Sequence, residues 1–163
     1  MKRVNPVELG VEQENYFFHL ARYQFVAKQL DLGHDILEIG CGVGYGARLL
    51  ADSCKSVYAQ DDAVSIEKYW SDYQKSNLTY SLKLPKNCLF DVVVSLEVVE
   101  HIDEKNVSDY FSIIHSYLKP DGFLVISTPR ALPYKERSKN RQLHHKREYS
   151  PSEFKGLLKR HFD

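Results

Sequence analysis

Four glycines at 40, 42, 44 and 46 close an apolar run that carries a carboxylate, in the stretch ILEIGCGVGYG over residues 36–46. Glycine has no β-carbon, so such a loop can turn tightly and let a ligand approach the backbone. A helix beginning behind it aims N–H groups and a positive end into the same space. Gly46 falls inside that expected helix, where close packing on the sheet accounts for it without any ligand. Glu38 is a carboxylate within an otherwise apolar strand. Burying it unpartnered is costly, so it points to a cationic or amino-bearing ligand. Asp61 follows SVYAQ, 21 residues after Gly40, where an acid can accept hydrogen bonds from both hydroxyls of a ribose. Asp62 competes for that role, but its position better suits the cap of the next helix. Nicotinamide dinucleotides and adenosyl cofactors both meet these constraints. A dinucleotide fingerprint starting at Gly40 wants glycine or alanine where this chain has Tyr45; one starting at Gly42 leaves Gly40 idle.

The elements that must position these residues alternate. Residues 13–30 have the helical spacing of an amphipathic segment, with Phe17, Leu20, Ala21 and Val26 near one another. Strands are expected over 35–39, 56–60, 78–81, 90–96 and 123–128, and helices over 45–51, 63–73, 105–118 and 150–161. FDVVVSL has the near-continuous apolar character of a central parallel strand. KPDG at 119–122 is a turn by composition. Ser150, Pro151 and Glu153 supply a cap, a first-turn proline and a capping-box glutamate. The class is therefore α/β: a Rossmann-like three-layer sandwich with a mostly or wholly parallel sheet of about five strands. Ligands in such sheets bind beyond the carboxyl ends of the strands, where the glycine loop lies. Between Ser81 and Phe90 there are eight residues, enough to cross two neighbouring strands at ~3.3 Å per residue but with no room for a helix.

With these residues in place, the chain resembles the class I S-adenosylmethionine-dependent methyltransferases over residues 12–162. Glu38–Ile39–Gly40–Cys41–Gly42–Val43–Gly44 resembles their first motif, and Asp61 matches their ribose-binding acid. FDVVVSLEVVEHI (90–102) resembles the fourth-strand segment, and LKPDGFLVIST (118–128) the fifth strand with its leading turn. HLARY (19–23) and REYSPSEFKGLL (147–158) are most similar to the branch acting on small molecules and saccharides. The resemblance implies S-adenosylmethionine as cofactor, with S-adenosylhomocysteine as product. The loop of Gly40, Cys41, Gly42 and Gly44 would cradle the methionine moiety, Glu38 would face its amino group and Asp61 would hold the ribose. Ser95, Leu96 and Glu97 would border the transferable methyl, and Tyr16, His19, Arg22 and Tyr23 would lie on a helix closing over the cofactor. Two features depart from the family: no acid follows the third strand to meet the adenine amino group, and the sequence stops at Asp163, before the two strands of the usual terminal hairpin. Either the chain is a fragment, or a second copy or another chain covers the apolar edge of the fifth strand.

Methyl transfer to a hydroxyl needs alignment and a group to take the proton. Histidine titrates near neutrality, which makes His101, His144 and His145 the candidate bases, against plain roles as helix anchor or solvated loop. No histidine pair stands at metal-ligand spacing, so no metal site is expected. Seven basic residues between Arg130 and Arg147 face Glu136 alone. They fit an anionic or saccharide acceptor or a solvated lid, and no aromatic platform beside them argues for nucleic acid.

At 163 residues with 43% hydrophobic content the chain reads as one domain. It divides into a helical cap (1–34), a cofactor-binding core (35–128), and a basic loop with the last helix (129–163). Charges balance at 22 basic and 22 acidic residues. Three cysteines at unpaired spacings and no apolar leader suggest reduced thiols and a cytoplasmic location, and no apolar window is long enough to span a membrane. The expected function is methyl transfer to a small molecule or saccharide at oxygen. The alternatives are a non-catalytic or assembly-dependent cofactor-binding domain and a nicotinamide-dependent oxidoreductase.

Overall fold

Five strands, 35–39, 56–60, 78–81, 90–96 and 118–127 in chain order (β1 to β5), form one sheet in the order β3-β2-β1-β4-β5, every neighbouring pair parallel. The computed structural model describes residues 13–131 and 145–162. Helix α1 is Gln13–Ala27; β1 is Asp35–Ile39, α2 Tyr45–Leu50, β2 Ser56–Gln60 and β3 Leu78–Ser81. Strand β4 is Phe90–Leu96, α3 Val107–Tyr117, β5 Leu118–Ser127 and α4 Pro151–Leu158. The strand pleat divides the core in two. Ile36, Val57, Val92 and Val94 pack under Val26 of α1 and Ala47 and Leu50 of α2. Leu37, Ile39 and Val93 pack against Val107, Phe111 and Ile114 of α3, with Phe154 and Leu157 of α4 beside them. Alternate residues of one strand thus feed opposite layers, as period-two geometry requires.

Three details differ from the sequence reading. Val64–Tyr73 winds as a 3₁₀ helix rather than an α-helix. Asp62 does not cap it: Asp62 is exposed, and it is Asp61 Oδ1 that accepts from the Ala63 N–H at 3.0 Å, an Asx-type turn. KPDG is absorbed into β5, because Leu118 pairs with Phe90 and Phe123 with Val92, so residues 119–122 stand against Asp91 alone. The β3–β4 connection has no helix. It is held by the Tyr58 hydroxyl on Lys83 O and the Tyr117 hydroxyl on Pro85 O.

Strand β5 pairs with β4 alone among the described residues, and its side chains are half-buried or exposed, with Phe123 at 38%. Central β4 is buried along nearly its whole length. At the amino ends of the strands, Lys55 pairs with Asp35 and Lys119 with Asp91, each at 2.8 Å. Those lysines, through hydrogen bonds, hold both carboxyls below the usual range. Helix α4 starts with the capping box read from the sequence: Ser150 Oγ accepts from Glu153 N, and Ser150 N donates to Glu153 Oε2 at 2.8 Å. Ser150→Ala is expected to lower stability by about 1 kcal/mol, read as a shift in the urea midpoint at unchanged slope.

Candidate functional site

Glu38 is the fourth residue of β1, 1% exposed, on the face toward α1. The Tyr23 hydroxyl donates to its Oε1 at 2.6 Å, and Oε2 has no hydrogen-bond partner among the described residues. Burial, with Asp61 nearby, pushes its pKa up to about 7 despite the tyrosine bond. The same burial pushes the Tyr23 hydroxyl well up. A carboxyl in this state gains from a cationic donor at Oε2.

The loop after β1 turns through three left-handed glycines, Gly40 (φ 82°), Gly42 (φ 58°) and Gly44 (φ 99°). Gly40 N and Cys41 N both donate to Gln60 O, at 2.7 and 3.0 Å. Gly42 N donates to Asp61 Oδ2 at 3.0 Å, and Trp70 Nε1 and the Tyr80 hydroxyl hold Gly42 O and Gly44 O. The loop is thereby tied to the ends of β2 and β3. Some of its glycines answer to packing. A β-carbon on Gly46 would enter the Tyr23 ring, one on Gly44 would meet the Tyr80 hydroxyl, and one on Gly40 would strike Val98. Asp61 is 4% exposed, with both carboxylate oxygens on loop amides. Each oxygen carries two lone pairs, so further donors can still be accepted.

Past β4 the chain bends at Glu97, whose φ of 57° is unusual for a residue with a side chain. Its Oε1 accepts from Ser127 Oγ at 2.7 Å and its Oε2 meets Arg22 at 3.2 Å, which joins α1 to the ends of β4 and β5. Leu96 packs toward the α1 layer. Ser95 does not join it: fully buried, it bonds the Tyr110 hydroxyl at 2.6 Å on the opposite face. Tyr16 stacks at a tilt on Tyr45, 5.8 Å between centroids, and Tyr45 in turn meets Tyr23.

A second polar group lies just beyond. Glu100 is fully buried; its Oε2 accepts from Thr128 Oγ1 at 3.2 Å, and its Oε1 has no hydrogen bond among the described residues. Burial raises its pKa to about 7. The His101 and His145 rings lie 5.1 Å apart, and His145 Nδ1 bonds Glu148 Oε1 at 2.8 Å. Lys146 N and Arg147 N both donate to Glu100 O, tying the two segments together. Sequence reasoning named both histidines but not Glu100, Thr128 or Glu148; the signal for Glu100 was a carboxylate inside the apolar run VVEHI. His144 and residues 132–144 of the basic stretch lie outside the described residues. At its described end, Lys146 pairs with Asp103, and Arg147 with Glu104 and Glu153.

Residues 12–161 match the family described as Methyltransferase domain. The chain belongs to that family. A relative from Mycolicibacterium smegmatis, named probable S-adenosylmethionine-dependent methyltransferase, is 32% identical over 91% of this chain and 60% of its own length. A ubiquinone biosynthesis O-methyltransferase of Rickettsia felis is 33% identical over 78% of this chain and 51% of its own. The chain thus spans about half to three-fifths of the curated relatives it matches. Among solved structures, the complex of DhpI with SAH superposes with a TM-score of 0.71 at 18% identity, covering 90% of this chain and 76% of that one. The fold of this chain is therefore that of the methyltransferase structures it resembles. No described helix is long and apolar enough to cross a membrane.

Proposed function

We propose that the chain binds S-adenosylmethionine and directs its methyl group to an oxygen of a small-molecule or saccharide acceptor. The observation that carries this reading is the buried Glu38 carboxyl, with one oxygen unpartnered among the described residues, beside a left-handed glycine loop anchored to Asp61. An amino-acid ammonium fits that oxygen. Family membership favours the adenosyl cofactor over a nicotinamide dinucleotide, and the names of the O-methyltransferase relatives support oxygen as acceptor.

When bound, the cofactor supplies a methyl group already electrophilic at a sulfonium centre. Glu38 would hold the ammonium, the left-handed turn from Gly40 to Gly44 would let the methionine end approach the backbone, and Asp61 would hold the ribose hydroxyls. Leu96 and Glu97 would wall the side where the acceptor enters, with Arg22 fixing Glu97 and Tyr16 packed above α2. Activation of the acceptor hydroxyl falls to the group around Glu100, His101 and His145 at the carboxyl ends of β4 and β5. Calorimetry with S-adenosylhomocysteine should give saturable binding near one to one. Asp61→Ala should weaken it about 10- to 100-fold, the loss of one or two hydrogen bonds by a charged acceptor. No heat from the unaltered chain would defeat the proposal.

A second reading, a domain that binds the cofactor without turnover, is favoured by the partly covered β5 and by the absence of an acid after β3, where Ser81 leads to Leu82 and Lys83. Tight binding with no methylated product from any hydroxylated acceptor would select it.

A further inference from the structure

Alignment of an acceptor does not by itself call for a buried carboxylate with an oxygen that has no hydrogen bond among the described residues, yet Glu100 presents one. Its Oε1 lies 3.9 Å from His101 Nε2, beyond hydrogen-bond reach, and its side chain is 1% exposed. One ligand-type atom from each of Glu100, His101 and His145 falls within 4.8 Å of the others. Atoms sharing a cation at about 2.0–2.2 Å each stand some 3–3.5 Å apart, so closure needs only a modest turn of the side chains. His145 has one ring nitrogen engaged by a carboxylate. Its Nδ1 is taken by Glu148, which leaves Nε2 as the coordinating atom, the carboxylate–histidine arrangement common behind metal ligands. Its side chain is 5% exposed, and the amides of Lys146 and Arg147 pin its segment to the Glu100 carbonyl. Spacing in the sequence could not show this group, because its members come from two distant segments.

We propose that Glu100, His101 and His145 form a binding site for a first-row divalent cation, with Glu148 positioning His145. Two imidazoles and one carboxylate suit manganese, iron, cobalt or zinc, whereas magnesium and calcium prefer all-oxygen shells. Three protein ligands leave coordination positions open for water or for an oxygen of the acceptor. Coordination there lowers the pKa of a bound hydroxyl, which would supply the activation assigned above. That role rests on the proposed methyltransferase reading; the binding of a cation does not.

The test uses the whole chain, stripped with chelator and titrated with Co²⁺ by visible absorption and with Mn²⁺ by electron paramagnetic resonance. One equivalent is expected to bind, with Mg²⁺ a poor competitor. Glu100→Gln and His145→Ala should each abolish the Co²⁺ spectrum. Glu148→Gln, at a partly exposed residue, should weaken binding about 10- to 100-fold with circular dichroism unchanged. Absence of stoichiometric binding, or binding that survives both ligand substitutions, would overturn the site. Calorimetry with S-adenosylhomocysteine on the same samples separates the two proposals. Cation binding without cofactor binding removes the methyltransferase reading and leaves the site; cofactor binding without cation binding does the reverse.

Discussion

Glu38→Gln is expected to stabilise the chain by about 3 kcal/mol at pH 8, while weakening S-adenosylhomocysteine at least about tenfold. In the unfolded chain this carboxyl loses its proton near its ordinary value of 4.5; in the fold it holds the proton to about 7. Between those values the folded state keeps a proton that the unfolded state has released. Stability therefore falls as pH rises through this window, and the full penalty stands above pH 7. The gap is worth about 3 kcal/mol at 1.36 kcal/mol per pH unit. Glutamine has no proton to lose, and its amide oxygen can still accept from Tyr23. Wild type and variant should thus converge at pH 4.5 and separate by pH 8, and subtracting them removes the similar slope that Glu100 contributes. The ligand tells the opposite story. An ammonium at Oε2 favours the ionised carboxyl, so affinity should climb with pH up to about 7 in the wild type and stay flat in the variant. Urea titrations at the two pH values check the first part, and calorimetry across the range checks the second. Equal stabilities at pH 8 would show that Glu38 is not held neutral by burial. Stability lost by the native residue and binding gained by it would be the two faces of one buried charge.

The same residue shows what sequence can and cannot say. Strand β1 was legible because Ile36, Leu37 and Ile39 flank a single carboxylate, and an acid in such a run needs a reason. The five strands were legible for a similar cause, since apolar runs between turn residues carry their own boundaries, and the capping box at Ser150 rests on contacts three residues apart. What escaped depends on atoms brought together from afar. That Asp61, and not Asp62, would close the turn follows from Gly42 N lying within reach of its other oxygen. The family resemblance implies a place beside the cofactor for Ser95, but the pleat of β4 turns its side chain to Tyr110 on the other face, a consequence of period two that the neighbouring Leu96 also obeys. Glu100 lay in plain sight beside His101, yet its importance comes from the 145–148 segment folding back onto it. The KPDG turn was real chemistry, and the sheet absorbed it as an irregularity because Leu118 and Phe123 on either side could both pair with β4.

Gly40→Ala is expected to cost about 2–5 kcal/mol and to remove cofactor binding. Gly40 has a φ of 82°, where a side chain adds roughly 1–2 kcal/mol. Its added β-carbon would also enter the space of the Val98 Cγ2 methyl, an overpacking that costs about 1–3 kcal/mol. Against a domain stability of about 5–15 kcal/mol, this is a large loss. The two causes can be separated. Val98→Ala removes the methyl in question, so in the double variant the packing part should return while the left-handed strain stays. A double-mutant cycle in urea should therefore show a coupling of about 1–3 kcal/mol between the positions. Binding should remain impaired in the double variant, because the turn at Gly40 sets the Gly42 amide on Asp61. A glycine kept only for the ligand would behave otherwise: alanine would spoil binding at little cost in stability, and no coupling to Val98 would appear. Zero coupling would mean that the segment after β4 is not seated on the loop. In that case Glu97, Glu100 and His101 would lose the contact that places them beside the cofactor end of the sheet.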